Sequence, residues 1–288
     1  MANGFCLINK PKGITSFDVV AKVRKSLNTK KVGHAGTLDP MATGLMLVGV
    51  GQGTKLLTYM VGLDKQYLAT IRLGLSTVTD DAEGEPLEAA DASHLTPELI
   101  DAEIAKLNGE IDQVPSSVSA KKIDGKRAYD LVREGQEVEL KPKRVMVSRF
   151  ERTSELRFSQ GFCDVDVIVD CSSGTFIRAL ARDVGKALGV GGHLTALQRT
   201  KVGNYRIEHA QELSGDLDLT GLAEVAANLM PVREITSQEV IDVRHGKPLQ
   251  LKGECGSVAL VNEGLVAISS PRDGKLRSEV VFSEDAND

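Results

Sequence analysis

The stretch Phe162–Cys171, FCDVDVIVDC, constrains the fold more than any other part of the chain. Cys163, Val165, Val167, Val169 and Cys171 alternate with mostly polar neighbours, the period of a strand with one face in a core and the other in water. A Ser172-Ser173-Gly174 turn ends it, and the period then changes at once. In TFIRALARDVGKALG, Ile177, Leu180, Ala181, Val184 and Leu188 form a helical stripe, and Gly189 stands where a C′ residue belongs. A half-buried strand running straight into an amphipathic helix makes this a mixed α and β protein. Arg178 falls in the first turn of that helix, where the dipole disfavours a cation, so it is expected to serve a carboxylate from elsewhere.

The remaining elements fit the same class. GFCLIN reads as a short strand entering the turn Lys10-Pro11-Lys12-Gly13, and Ser16 as the N-cap of a helix whose stripe is Val19, Val20, Val23 and Leu27. LMLVGV reads as a buried strand, GTKLLTYMV as a short helix, and KQYLATIRLG as a strand with Tyr67, Ala69, Ile71 and Leu73 facing inward. Between residues 80 and 150 charges dominate, which predicts an exposed, partly helical insertion on the main sheet. After Pro231 come RHGKPLQL, SVALVNEGLVAIS and RDGKLRSEVVF, short strands joined by Asn-Glu-Gly and Arg-Asp-Gly turns. The expected division is a main domain over 1–231 and a small all-β module over 232–288.

Composition narrows the function. At 288 residues and 41% hydrophobic content the chain can bury a large core. The N-terminus lacks the pattern of a secretory leader and no segment is apolar for a membrane span, so the cytoplasm is the expected compartment. Cys6, Cys163, Cys171 and Cys255 lie far apart and read as buried small hydrophobes, and the five histidines show no ligand spacing, so no metal is expected. GVGQGTK and GVGGH lack the spacing of phosphate-binding loops and read as turns, and no G-x-S-x-G elbow occurs. The net charge is −5, yet residues 1–60 carry +6, 80–114 carry −10 and 121–152 carry +4. Two basic blocks around an acidic one suggest one side that faces a polyanion.

Within GHAGTLDPMATG, Asp39 sits between Leu38 and Pro40, where an isolated Asp most often makes a turn that shapes its own loop. Five blocks change that reading: GFCLINKPKGITSFDVVAKVRK, VGHAGTLDPMATGLMLVGVGQGTKLL, KQYLATIRLG, VPSSVSAKKIDGKRAYDLVREG and CSSGTFIRALARDVGKAL. In order and spacing they closely resemble the bacterial tRNA pseudouridine synthase B family, which modifies the T-loop uridine. The resemblance covers nearly the whole chain. It implies an α+β catalytic domain with a mostly antiparallel mixed sheet, an inserted RNA-gripping segment over 80–150, and a C-terminal PUA-like domain. It implies isomerisation of uridine 55 without cofactor or metal, with the T-arm of tRNA as partner, no obligate protein partner, and a monomer.

The same resemblance assigns residues. Asp39 is the catalytic carboxylate, acting as a nucleophile at C1′ or C6 or assisting a glycal. Arg178 pairs with it, Tyr67 stacks on the flipped base, and His34 fills space near the evicted nucleotide. Phe176 and Leu197 fall among the positions that bind the substrate, and Lys10 and Pro11 lie beneath the active-site loop. Lys121, Lys122, Lys126 and Arg127 are the basic residues that would reach the T-arm phosphates, with Lys22, Arg24 and Lys25 as weaker candidates. Phe176 departs from the family's usual tyrosine, which removes a hydroxyl donor. Two rival classes stay open on the residues: an RNA-binding or RNA-folding module with secondary catalysis, and a carboxylate-nucleophile hydrolase that releases free uracil.

Overall fold

The computed structural model describes residues 2–116, the strand pairs 122–123 and 126–127, and residues 141–283. The chain divides into two compact units, one of residues 1–40, 44–62 and 204–288, the other of residues 41–43 and 63–203.

In the first unit the strand Thr43–Val50 is buried from Gly44 onward and lies between two antiparallel partners, Gly4–Lys10 and Val32–Ala35. Gln211–Glu212 adds a parallel edge beside Ile8 and Asn9. Helix Ser16–Ser26 follows the first strand and buries Val19, Val20 and Val23 of the expected stripe, while Leu27, its last member, is the half-buried C-cap. Its N-cap is Thr15 rather than Ser16: Thr15 and Asp18 form a capping box, leaving Ser16 for another contact. GVGQGTK is no turn but the end of a strand running into a 3-10 helix, Gly51–Tyr59. Backbones touch there, since a Cβ on Gly53 would meet the Gly4 carbonyl oxygen.

The C-terminal part of this unit is a five-stranded sheet in the order Val232–Glu234, Val258–Asn262, Gly264–Arg272, Lys275–Val281, Leu249–Gln250. Leu249, Val258, Leu260, Val266 and Leu276 belong to its own hydrophobic core. Asp273 and Gly274 both have positive φ, the turn that Arg-Asp-Gly announced. The module is not purely β, because Ser237–Arg244 is a helix with a second capping box, Thr236 and Glu239, and the expected RHGKPLQL strand shrinks to Leu249–Gln250. Lys55 Nζ donates to the Val281 carbonyl at 2.7 Å and Tyr59 Oη to Glu279 at 3.0 Å, stitching the 3-10 segment to the last strand.

The second unit carries an antiparallel sheet in the order Gly192–Val202, Lys65–Leu73, Phe162–Cys171, Lys143–Arg152, Gly109–Gln113. The alternation in FCDVDVIVDC is resolved on both faces: the Cys and Val residues are buried, and the aspartates find partners across the register. Asp164 takes two hydrogen bonds from Arg72 at 2.7 Å, Asp166 one from Thr70 at 2.7 Å, and Asp170 one from Gln66 at 2.8 Å. Helix Ile177–Ala187 packs on Gly192–Val202 through a contact without room for a side chain, since a Cβ on Gly185 would meet the Gly191 backbone.

Residues 80–150 differ from the exposed insertion expected of them. Gly109–Gln113 and Lys143–Arg152 are strands of the main sheet, and Asp80 and Asp81 are buried, because arginines of the Ile177–Ala187 helix neutralise them. Among the described residues, helix Pro97–Lys106 and the exposed segment Pro86–Ala89 keep the expected character. Cys255 is also a correction: it is exposed, whereas Cys6, Cys163 and Cys171 are buried. Burial pushes the Cys6 thiol up to about 12 and that of Cys171 to about 11, which leaves both unreactive. No helix among the described residues is long and apolar enough to cross a membrane.

Candidate active site

Asp39 is half-buried, and the peptides on both sides of it are held. On the N-terminal side, Ser16 Oγ accepts from the Leu38 N–H at 2.8 Å and donates to the Leu38 carbonyl at 2.9 Å. On the C-terminal side, the Pro40 carbonyl accepts from the Gly13 N–H at 2.8 Å and from Lys10 Nζ at 3.3 Å. Lys10 is 0% exposed, and its ammonium also donates to the Pro11 carbonyl at 3.1 Å. The Lys10-Pro11-Lys12-Gly13 turn therefore supports the Asp39 loop directly, a role expected of Lys10 and Pro11. Gly36, with φ of 88°, supplies the left-handed residue that brings the chain from strand Val32–Ala35 into this loop. His34 lies on that strand opposite Val48.

In the second unit Tyr67 stands on Lys65–Leu73, 8% exposed, paired in register with Val169 on one side and Arg199 on the other. Lys65 and Arg199 are also buried, and burial together with the positive Arg199 pushes the Lys65 ammonium down to about 8. Leu197 is buried opposite Ala69, and its carbonyl accepts from Thr43 Oγ at 3.4 Å.

Within its own unit, one carboxylate partner of Arg178 is Asp81. Arg178 Nη1 lies 3.2 Å from Asp81 Oδ2, with side-chain exposures of 7% and 4%, and donates to the Thr79 carbonyl at 2.9 Å. Asp81 also accepts from Thr79 Oγ1 and from the Glu83 N–H, so the carboxylate that orients the arginine is itself fixed. One residue earlier, Asp80 meets Arg182 at 3.3 Å, and burial pushes its carboxyl above the usual range while the Arg182 and Arg178 charges pull it back. Phe176, the N-cap of the arginine helix, has no side-chain cap. Gln113 replaces one: its amide accepts from the Phe176 N–H at 2.8 Å and donates to the Phe176 carbonyl at 3.0 Å.

Ser16, Asp81 and Gln113 are the residues that sequence reasoning missed. Of the basic residues expected to reach RNA, the backbones of Lys122 and Arg127 pair, and Lys126 pairs with Ile123. Lys121 lies outside the described residues.

The profile for "TruB family pseudouridylate synthase (N terminal domain)" matches residues 24–177, and that for "tRNA pseudouridylate synthase B C-terminal domain" matches residues 178–230. The chain belongs to the TruB family. It is 51% identical to a protein of Paenarthrobacter aurescens over 86% of this chain and 81% of that one, and 48% identical to one of Thermobifida fusca over 98% and 99%. Both relatives are named tRNA pseudouridine synthase B. Among solved structures, an H/ACA RNP bound to a substrate RNA containing 2′-deoxyuridine is similar over 99% of this chain and 87% of that one, with a TM-score of 0.70 and 22% identity. That likeness shows a shared fold. The TruB chain is thus an isomerase of α+β architecture, with its GTLDP aspartate on a loop braced at both ends.

Proposed function

We propose that this protein isomerises uridine 55 in the T-loop of tRNA to pseudouridine, with Asp39 as the catalytic carboxylate. The observation that carries this reading is the bracing of the half-buried Asp39 by Ser16 on one side and Lys10 with Gly13 on the other. A carboxylate that only shaped its own turn would not need its flanking peptides fixed from two other elements. The reaction breaks the N1–C1′ bond, rotates the uracil, forms the C5–C1′ bond and moves a proton from C5 to nitrogen, with no redox change. An ionised carboxylate can drive it without a metal.

In this reading Tyr67 offers its ring to the flipped uracil and His34 fills space near the evicted nucleotide. Arg178 keeps the site electropositive while Asp81 fixes its direction. Phe176 and Leu197 line the base, Phe176 without the hydroxyl of the usual tyrosine. Lys121, Lys122, Lys126 and Arg127 hold T-arm phosphates, and residues 232–288 form a PUA-like module that adds RNA affinity. The protein works in the cytoplasm as a monomer.

Incubation with unmodified tRNA followed by carbodiimide mapping tests the reading. A carbodiimide-dependent stop one nucleotide 3′ of position 55, in a tRNA whose mass before carbodiimide treatment is unchanged, is the expected result. Release of free uracil would mark a hydrolase, and binding without turnover a folding module.

A further inference from the structure

Phe17 is the most exposed large hydrophobic side chain among the described residues, at 66%. It is the second residue of helix Ser16–Ser26, directly after the serine that holds Leu38 beside Asp39. Ala21 lies one turn further on and Lys25 two turns on, so the ring has only a methyl group next to it on its stripe, followed by a lysine. The Arg24 guanidinium carbon lies 5.9 Å from the ring centroid, and its Nη2 is anchored on the Val32 carbonyl at 3.1 Å. Lys12, Lys22 and Lys25 are exposed on the same helix and the turn before it, Lys25 two turns along the side that carries Phe17, while Asp18 is engaged in the capping box with Thr15.

A single aromatic ring among cations is poor material for a protein interface core, where lysines are depleted. It is the arrangement that binds unpaired nucleotides, with a ring for a base and ammonium groups for the backbone. We propose that Phe17 is a stacking platform for an unpaired base of the substrate RNA, next to the one that is modified, with Lys25 on the adjoining phosphate. This deepens the reading of the chain as a tRNA-modifying enzyme and rests on it. The platform is rigidly coupled to the Asp39 loop through Ser16, so a base seated on it sets the register of the RNA relative to the carboxylate.

The test uses the full chain, an unmodified T-arm stem-loop RNA, and the variants Phe17→Ala, Phe17→Trp and Lys25→Gln, with melting curves as a folding control. Loss of one stacked base predicts that Phe17→Ala raises KM by about 5- to 150-fold with kcat within about twofold, and that Phe17→Trp stays close to the parent. Lys25→Gln lowers the salt slope of binding by about one unit. An unchanged KM in Phe17→Ala, or a fall in kcat alone, overturns the proposal. So does self-association of the parent that Phe17→Ala abolishes while RNA binding is intact, since the ring would then face a second copy. If the parent itself forms no pseudouridine, the functional reading fails instead, and the Kd of Phe17→Ala for the same RNA still decides the platform.

Discussion

Helices Ser16–Ser26 and Ile177–Ala187 each begin beside a residue expected to carry chemistry, and they are built in opposite ways. The first starts with a local device. Thr15 and Asp18 cap each other, and the hydrogen bonds from Thr15 hold the Asp18 carboxyl below the usual carboxylate range, which suits the positive end of the helix dipole. The second starts with an arginine against the dipole and no side-chain cap, and it is supported from distant chain: Gln113 on the Phe176 peptide, and Asp81 and Thr79 on Arg178. One helix start is stabilised by residues within its own first turn, while the other is stabilised by residues far away in the chain. A neutral hydroxyl fixes the Leu38 peptide, whereas Arg178 is aimed by a buried anion together with a carbonyl.

The comparison breaks first at Asp81. Asp81→Ala leaves Arg178 buried beside nothing of opposite charge from that position, and a loss of about 3–5 kcal/mol in denaturant unfolding is expected. On the other helix, Ser16→Ala removes both partners of the buried Leu38 peptide without unpairing a charge, so about 1–3 kcal/mol is expected. Turnover should fall more than RNA binding, because the peptide before Asp39 is released. Smaller still is Thr15→Ala, which deletes only the local cap, about 1 kcal/mol, with turnover little changed.

Lys65 extends the contrast to pH. Its ammonium sits at about 8 in the fold against an ordinary 10.5, so below pH 8 the folded protein bears the full cost of a buried charge, and that cost is relieved as pH rises from about 8 to 10.5. Thermal melts of the parent and Lys65→Met across that window should show the variant's advantage shrinking with rising pH. A constant difference would contradict the burial of the charge.

What could be read from the sequence follows the same line. The Phe162–Cys171 strand, the helix after it and the inward face of Tyr67 were legible because strand and helix periods are local, and the GTLDP aspartate was legible through family resemblance. Ser16, Gln113 and Asp81 were not, because their contacts span 22, 63 and 97 residues of chain. Asp80 and Asp81 misled for a physical reason: in an acidic block exposure is the default, and the arginines that allow their burial are about a hundred residues away. Helix Ser237–Arg244 did leave a local sign, the Thr236 to Glu239 capping spacing, amid the strand-like runs around it.

The central claim is that the braced Asp39 performs the chemistry. Single-turnover formation of pseudouridine in unmodified tRNA by Asp39→Asn, read by carbodiimide mapping alongside binding to the same RNA, tests it most directly. The amide keeps the shape of the loop and lacks the charge, so turnover should fall by at least about a thousandfold while affinity changes only a few-fold. Turnover near that of the parent would show that Asp39 only shapes its loop, and the assignment would be wrong.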